Sequence, residues 1–208
     1  MYKTQYVHRR LTRGGGGPHS PRVQTLATWD YSSRSLPLLS GDDGTEQTIE
    51  IIRQLVDAAL KDPRMVRTAR ELARGVAEYD ELGEVNAIFN AVRSRVAYRK
   101  DPVGNEVLMD PMGTLESGAG DCDDINGVLL PSLLGALGHP TRLVTIAASP
   151  YSEDFSHIYC EVLVGGQWIP LDAARPGTSF AAAPNFYGRT RVWSLTDGSF
   201  EDVSGLAG

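Results

Sequence analysis

Gly-Ala-Gly-Asp-Cys-Asp-Asp (Gly118–Asp124) runs straight into Ile125, Val128, Leu129, Leu130, Leu133, Leu134 and Leu137. The glycines force a tight approach, and the apolar residues recur at helical spacing. The stretch therefore predicts a turn into a buried helix starting near Asp121. Pro131 lies inside that helix and is expected to kink or split it, and Gly138 to end it. Cys122 then sits at a helix N-terminus. Unpaired backbone N–H groups and the positive end of the helix dipole stabilise a thiolate there, and the same N–H groups can hold an oxyanion. Many small cysteines simply pack in cores. The glycines and aspartates flanking Cys122 argue against that for this one.

Downstream, residues 141–148, 157–164, 167–171 and 191–195 read as strands. His157 opens the second of them and shares a face with Tyr159 and Glu161, while Ile158, Cys160, Val162 and Val164 point the other way. Cys160 is thus expected in the core, on the face opposite His157, which makes Cys122 the candidate nucleophile and a Cys122–Cys160 disulfide unfavoured. Gly165-Gly166 reads as a two-residue hairpin turn. If Val164 pairs with Gln167, Tyr159 pairs with Asp172, and His157 and Asp172 become diagonal neighbours roughly 7–8 Å apart at the backbone. A slip of one residue would put Asp172 on the wrong face. Pro170 marks the second strand as an edge, or as leaving the ladder. A cysteine, a histidine to take its proton and an aspartate to hold the imidazole form a nucleophile–base–orienter set: Cys122, His157, Asp172.

Upstream, three helices are expected: one after Gly44 capped by Thr45, one over 63–79 with Pro63 in its first turn, and one over about 82–96. Residues 98–112 read as a long polar connection with a short strand at 106–109, a candidate wall of the site. Tyr98 and Asn105 are candidate oxyanion side chains, and Arg99, Lys100 or Arg142 candidate partners for the acids beside Cys122. Helices followed by a run of strands predict an α+β fold with an antiparallel sheet.

Residues 1–44 form a basic Gly/Pro-rich arm, extended or disordered, and residues 45–208 the domain. Residues 1–41 carry six Lys/Arg against one acid, in a chain of net charge −6. The arm's aromatic and aliphatic residues, such as Tyr6, Trp29 and Leu36, suit docking on a partner or self-association. The overall acidity gives no case for nucleic acid. No run approaches the roughly 18 apolar residues of a membrane span. The N-terminal residues lack a secretory h-region, so a cytoplasmic location is expected, or carriage within a larger particle. Two separated cysteines give neither a disulfide framework nor a zinc pattern.

Five features together resemble the transglutaminase-like cysteine hydrolase superfamily, which has a papain-like core. They are Gly-Asp-Cys-x-Asp (Gly120–Asp124), Leu-Leu-x-x-Leu-Gly (Leu133–Gly138), Thr-Arg-Leu-Val (Thr141–Val144), the His157 strand and Gly-x-Trp-x-x-x-Asp (Gly166–Asp172). The match covers residues 82–176. The Gly-Asp-Cys-x-Asp form is similar to that of bacterial transglutaminase-like proteases and of proteins found in tailed phages. The resemblance implies thiol-dependent hydrolysis or acyl transfer at an amide bond of a peptide or protein. The other expectation it carries is a catalytically silent structural or interaction protein of the same fold, for example a phage particle component. Some similar proteases hold calcium beside the nucleophile, which draws attention to Asp121, Asp123 and Asp124. Calcium takes six to eight oxygens, and three acids at one helix start do not face one point, so no metal or other cofactor is assigned.

Overall fold

The computed structural model describes residues 33–37, 41–101, 105–152, 154–185 and 188–203. The arm expected over 1–44 lies outside the described residues apart from strand β1 (Ser33–Pro37) and the start of helix α1 (Gly41–Leu60). α1 begins ahead of Thr45, whose hydroxyl donates to the Gly41 carbonyl from inside the first turn instead of capping it. Its Ile49, Ile52, Leu55 and Val56 are buried. Helix α2 (Pro63–Leu72) starts on Asp62, whose side chain accepts from the Arg64 N–H. It is shorter than the predicted 63–79, because the backbone turns to positive φ at Gly75 and Tyr79. Helix α3 (Glu81–Arg95) is capped by Asp80, and it buries Val85, Ile88, Phe89 and Val92.

The connection between α3 and the cysteine is more structured than its polarity suggests. Strand β2 (Ala97–Tyr98) is followed by β3 (Asn105–Met109), which pairs antiparallel with β1. Then comes helix α4 (Pro111–Ser117), absent from the sequence reading. Asp110 caps it through the Met112 and Gly113 N–H groups, and Pro111 fills its first turn. Strand β4 (Ala119–Gly120) lies parallel to β2. The cysteine helix is split as Pro131 predicts. A π-helical segment, Asp123–Leu129, is followed by α5 (Leu130–Ala136), and the Leu130 N–H reaches back to the Ile125 carbonyl at the join. Pro131, which has no N–H to give, sits in the first turn of the α-helical part.

The remaining strands form one antiparallel sheet in the order β7-β6-β5-β8-β9: β5 (Thr141–Ala147), β6 (Phe155–Val164), β7 (Gln167–Leu171), β8 (Thr190–Ser194) and β9 (Phe200–Val203). β9 was not anticipated. β7, with Pro170, is an edge strand, as a residue without an N–H requires. Gly165 and Gly166 turn the β6–β7 hairpin at φ 57° and 81°, a left-handed pair that glycine adopts without strain. The resulting register is the predicted one, Val164 opposite Gln167 through to Cys160 opposite Leu171.

One face of the sheet packs on the helices. Cys160, Val162 and Leu171 join α2, α3 and α5 in one cluster; Leu143, Ile158 and Trp193 join α1 and Val128 in the other. Val144, Ile146 and Tyr159 form a smaller cluster on the opposite face. Burial of this apolar surface, at roughly 25 cal/mol per Å², is the main force holding the helices across the sheet. It fixes where the cysteine helix meets the His157 strand.

Candidate functional site

The approach to the cysteine is built from small parts. Gly118, at φ 65°, ends α4 in the left-handed conformation, and its N–H bonds to the Thr114 carbonyl. The chain then runs beside β2, held by Ala97 N–H to Gly118 O at 2.8 Å and Arg99 N–H to Gly120 O at 2.7 Å. A Cβ on Gly120 would lie 2.7 Å from the Cβ of Asp124, so only glycine passes here. Asp121 closes the turn: its Oδ1 accepts from the N–H of Asp123 at 2.9 Å and of Asp124 at 3.2 Å. Cys122 follows, half-buried, at the start of the π-helical segment. Its Sγ lies 3.8 Å from Asp123 Oδ1. The Asp121 carboxylate thus already takes up two of the N–H groups that the sequence offered to an oxyanion.

Tyr98 flanks this turn, opposite Gly120 in the β2–β4 pairing, and is 49% exposed. Burial, and then the negative neighbours Cys122, Asp121 and Asp123, push its hydroxyl above the ordinary phenol range, so it remains a proton donor at neutral pH. The side chain of Asn105 lies outside the described residues. Arg142 turns elsewhere, bonding Glu161 at 2.6 Å and stacking over Trp168.

His157 lies on β6 next to a bulge: Ile146 pairs with His157 but Ala147 with Phe155, so Ser156 is the extra residue. The imidazole is largely buried, and its Nε2 meets Asp172 Oδ2 at 2.8 Å. Asp172 comes one residue after the end of β7 and is fully buried. Burial pushes its carboxyl up. The hydrogen bond and charge of His157, then the Asn126 amide and the Arg175 N–H, outweigh that and hold it below the usual carboxylate range. The predicted diagonal contact between His157 and Asp172 is therefore a direct hydrogen bond. Cys160 is fully buried on the other face, and burial pushes its thiol up, away from reactivity.

Sequence reading missed Asn126. This buried side chain, four residues after Cys122, donates to Asp172 Oδ1 at 2.8 Å and to the Ile158 carbonyl at 3.0 Å. It also accepts from the Ala173 N–H at 2.9 Å. An asparagine in an apolar helical run was the available signal.

Asp124 ties the same segment to β3, accepting from the Met109 N–H at 2.8 Å. It is 2% exposed. Burial above all, with Asp121 and Asp101 nearby, raises its carboxyl to about 7. In the unfolded chain the group ionises near 4. Folding thus keeps a proton that the unfolded chain releases, and stability falls as pH rises from about 4 to about 7. Asp124→Asn is expected to remove that loss. Its gain over the original should be on the order of 2–4 kcal/mol at pH 8 and near zero at pH 4.5. Thermal melting at both pH values checks this, and an equal difference at the two would contradict it.

Asp121, Cys122 and Asp123 bring three potential ligand atoms within 4.8 Å of one another. Asp121 is spent on backbone N–H groups, and the third atom is a soft thiol. This set does not fit calcium, which takes six to eight oxygens.

Cys122 packs against the clusters between the helices and the sheet, and β6 carries a histidine bonded to a buried carboxylate. The model of the transglutaminase-like superfamily matches residues 68–173, which contain Cys122, His157 and Asp172, and the chain belongs to that superfamily. Among solved structures it is similar to a candidate cysteine protease from Cytophaga hutchinsonii, at 26% identity and TM-score 0.42, over 54% of this chain and 37% of that one. It is also similar to a candidate protease from Parabacteroides distasonis ATCC 8503, at 17% identity and TM-score 0.51, over 75% of this chain and 31% of that one. The second likeness shows a shared fold. The matched regions span about a third of the length of both solved chains. No curated protein matches the chain. Among the described residues, no helix is long and apolar enough to cross a membrane.

Proposed function

We propose that the protein is a thiol hydrolase or acyl transferase acting on amide bonds, with Cys122 as nucleophile, His157 as base and Asp172 as its orienter. The observation that carries this reading is the His157 Nε2–Asp172 Oδ2 bond at 2.8 Å, made by a carboxylate buried within the fold. With the Nε2–H directed at Asp172, Nδ1 is the nitrogen that in this reading exchanges a proton with the thiol.

The proton of Cys122 Sγ passes to His157 Nδ1, and the thiolate attacks the carbonyl carbon of the amide. A C–S bond forms, and the carbonyl electron pair moves to oxygen. The Tyr98 hydroxyl is the side-chain donor offered to that oxyanion. The oxyanion collapses, the C–N bond breaks, and the amine leaves with the proton from Nδ1. Water or a second amine then gives a proton to Nδ1 as it attacks the thioester, and the C–S bond breaks. Water makes the protein a peptidase or amidase; a lysine amine makes it a crosslinker.

The test is the pH dependence of alkylation of each cysteine by iodoacetamide, read by mass spectrometry in the original protein and in His157→Ala. Cys122 is expected to react well below pH 8, where a free thiol near pKa 8.5 is mostly protonated. Cys160 should stay inert, and His157→Ala should slow Cys122. Ordinary thiol behaviour of Cys122 in both proteins would sink the proposal and leave a non-enzymatic structural or binding role for the fold.

A further inference from the structure

We infer that Asn126 is a positioning residue of this site, setting the charge and orientation of Asp172 and through it the proton-accepting state of His157. The inference rests on the triad reading above.

The sense of its amide is fixed by its surroundings. The Ala173 N–H requires an acceptor, met by Asn126 Oδ1 at 2.9 Å. The Ile158 carbonyl at 3.0 Å and Asp172 Oδ1 at 2.8 Å both require donors, and the Nδ2 group supplies both hydrogens. The flipped amide would oppose like to like at all three contacts. The side chain is fully buried, so its polar atoms are satisfied by these partners and not by bulk solvent.

The three partners lie on the elements that make the site. Asn126 belongs to the segment that begins at Cys122. Ile158 follows His157 on β6, and Ala173 follows Asp172. One amide therefore joins the nucleophile's helix to the base's strand and the orienter's loop. It also divides the labour of the Asp172 oxygens. Oδ1 receives Asn126 and, at 3.3 Å, the Arg175 N–H; Oδ2 is kept for His157. The titratable groups acting on Asp172 from β6 are His157 and Tyr159. A donor to a buried carboxylate favours its charged form. Loss of that donor weakens the negative charge facing His157 Nε2, and with it the imidazolium that must accompany a thiolate.

The test compares Asn126→Ala and Asn126→Asp with the original protein and His157→Ala, reading the pH onset of Cys122 alkylation beside thermal melting. Asn126→Ala is expected to move the onset up by about one pH unit, a roughly tenfold slower alkylation at pH 6. In Asn126→Asp the new carboxyl must share a proton with Asp172, two carboxylates at this distance being unable to ionise together. Reactivity should stay near the original at acid pH. It should then exceed the original as the pair loses its last proton, because the second negative charge favours the imidazolium and with it the thiolate. A purely structural residue would lower the melting temperature in both variants and leave the alkylation profile in place. That result, in folded protein, overturns the inference; Asn126→Asp decides it alone if Asn126→Ala does not fold. If the original protein shows no His157-dependent reactivity below pH 8, the triad reading itself fails. If it does and both variants track it, only the assignment of Asn126 falls.

Discussion

Asp172→Asn is expected to leave the fold standing and, on the proposed mechanism, to lower the acyl-transfer rate by roughly 10⁴-fold. The cause lies in the direction the new amide must face. At the Oδ1 position it meets two donors, Asn126 Nδ2 at 2.8 Å and the Arg175 N–H at 3.3 Å, so the carbonyl oxygen of the substituted side chain has to stay there. Its NH2 group then takes the Oδ2 position, 2.8 Å from His157 Nε2. Nε2 must become an acceptor, which forces the imidazole proton onto Nδ1, the nitrogen proposed to receive the thiol proton. The base is blocked while every neighbouring hydrogen bond survives. The measurement is turnover of any amide that the original protein cleaves, together with Cys122 alkylation at pH 6. A loss smaller than tenfold in both would show that Asp172 does not set the tautomer.

Trp193→Ala carries the largest expected effect on stability. The indole is 1% exposed within the cluster that joins the sheet to α1. Its Nε1 donates to Thr145 Oγ1 at 2.9 Å, and its ring lies 4.7 Å from that of Phe200 on β9. The Arg191 guanidinium sits 5.3 Å from the Trp193 centroid and 3.9 Å from that of Phe200. Arg191 also reaches Asp202 on β9 and Asp42 on α1. Truncation would open a cavity under a buried cation that already has one nitrogen without a partner. The expected cost is about 3–5 kcal/mol, read from urea unfolding. Trp193→Phe, which keeps most of the volume, should cost clearly less. Equal losses for the two variants would mean that the hydrogen bond to Thr145, rather than the packing, carries the effect.

The parts of the fold that were legible in the sequence rest on local rules. Two glycines between Val164 and Gln167 allow one turn, and that turn fixes the register bringing His157 to Asp172. Alternation along β6 separates His157 from Cys160. Pro170 marks an edge, and Pro131 marks the join between two kinds of helix. The illegible parts depend on distant partners or on short elements. α4 is too short to show an apolar stripe, although Asp110-Pro111 is a helix-start signal. The β1–β3 ladder has no turn motif that announces it, whereas Asp197-Gly198, with Gly198 at φ 75°, marks the β8–β9 hairpin that the sequence reading missed. Asp42 looks like an ordinary first-turn acid, yet it pairs with Arg189 and Arg191 far along the chain. Asn126 looks misplaced in an apolar helix because its three partners lie 32, 46 and 47 residues away.

The hairpin turned at Gly165-Gly166 also bears on the order in which the site comes into being. His157 and Asp172 are 15 residues apart on one supersecondary unit, and such hairpins close in roughly 1–10 μs. The cysteine's helix reaches this unit by closing a loop of at least 32 residues, counted from Asn126 to Ile158, against a larger entropy cost. The histidine and its carboxylate can therefore meet early in folding as a self-contained pair. On the proposed triad, the segment carrying Cys122 then docks on a pair already oriented.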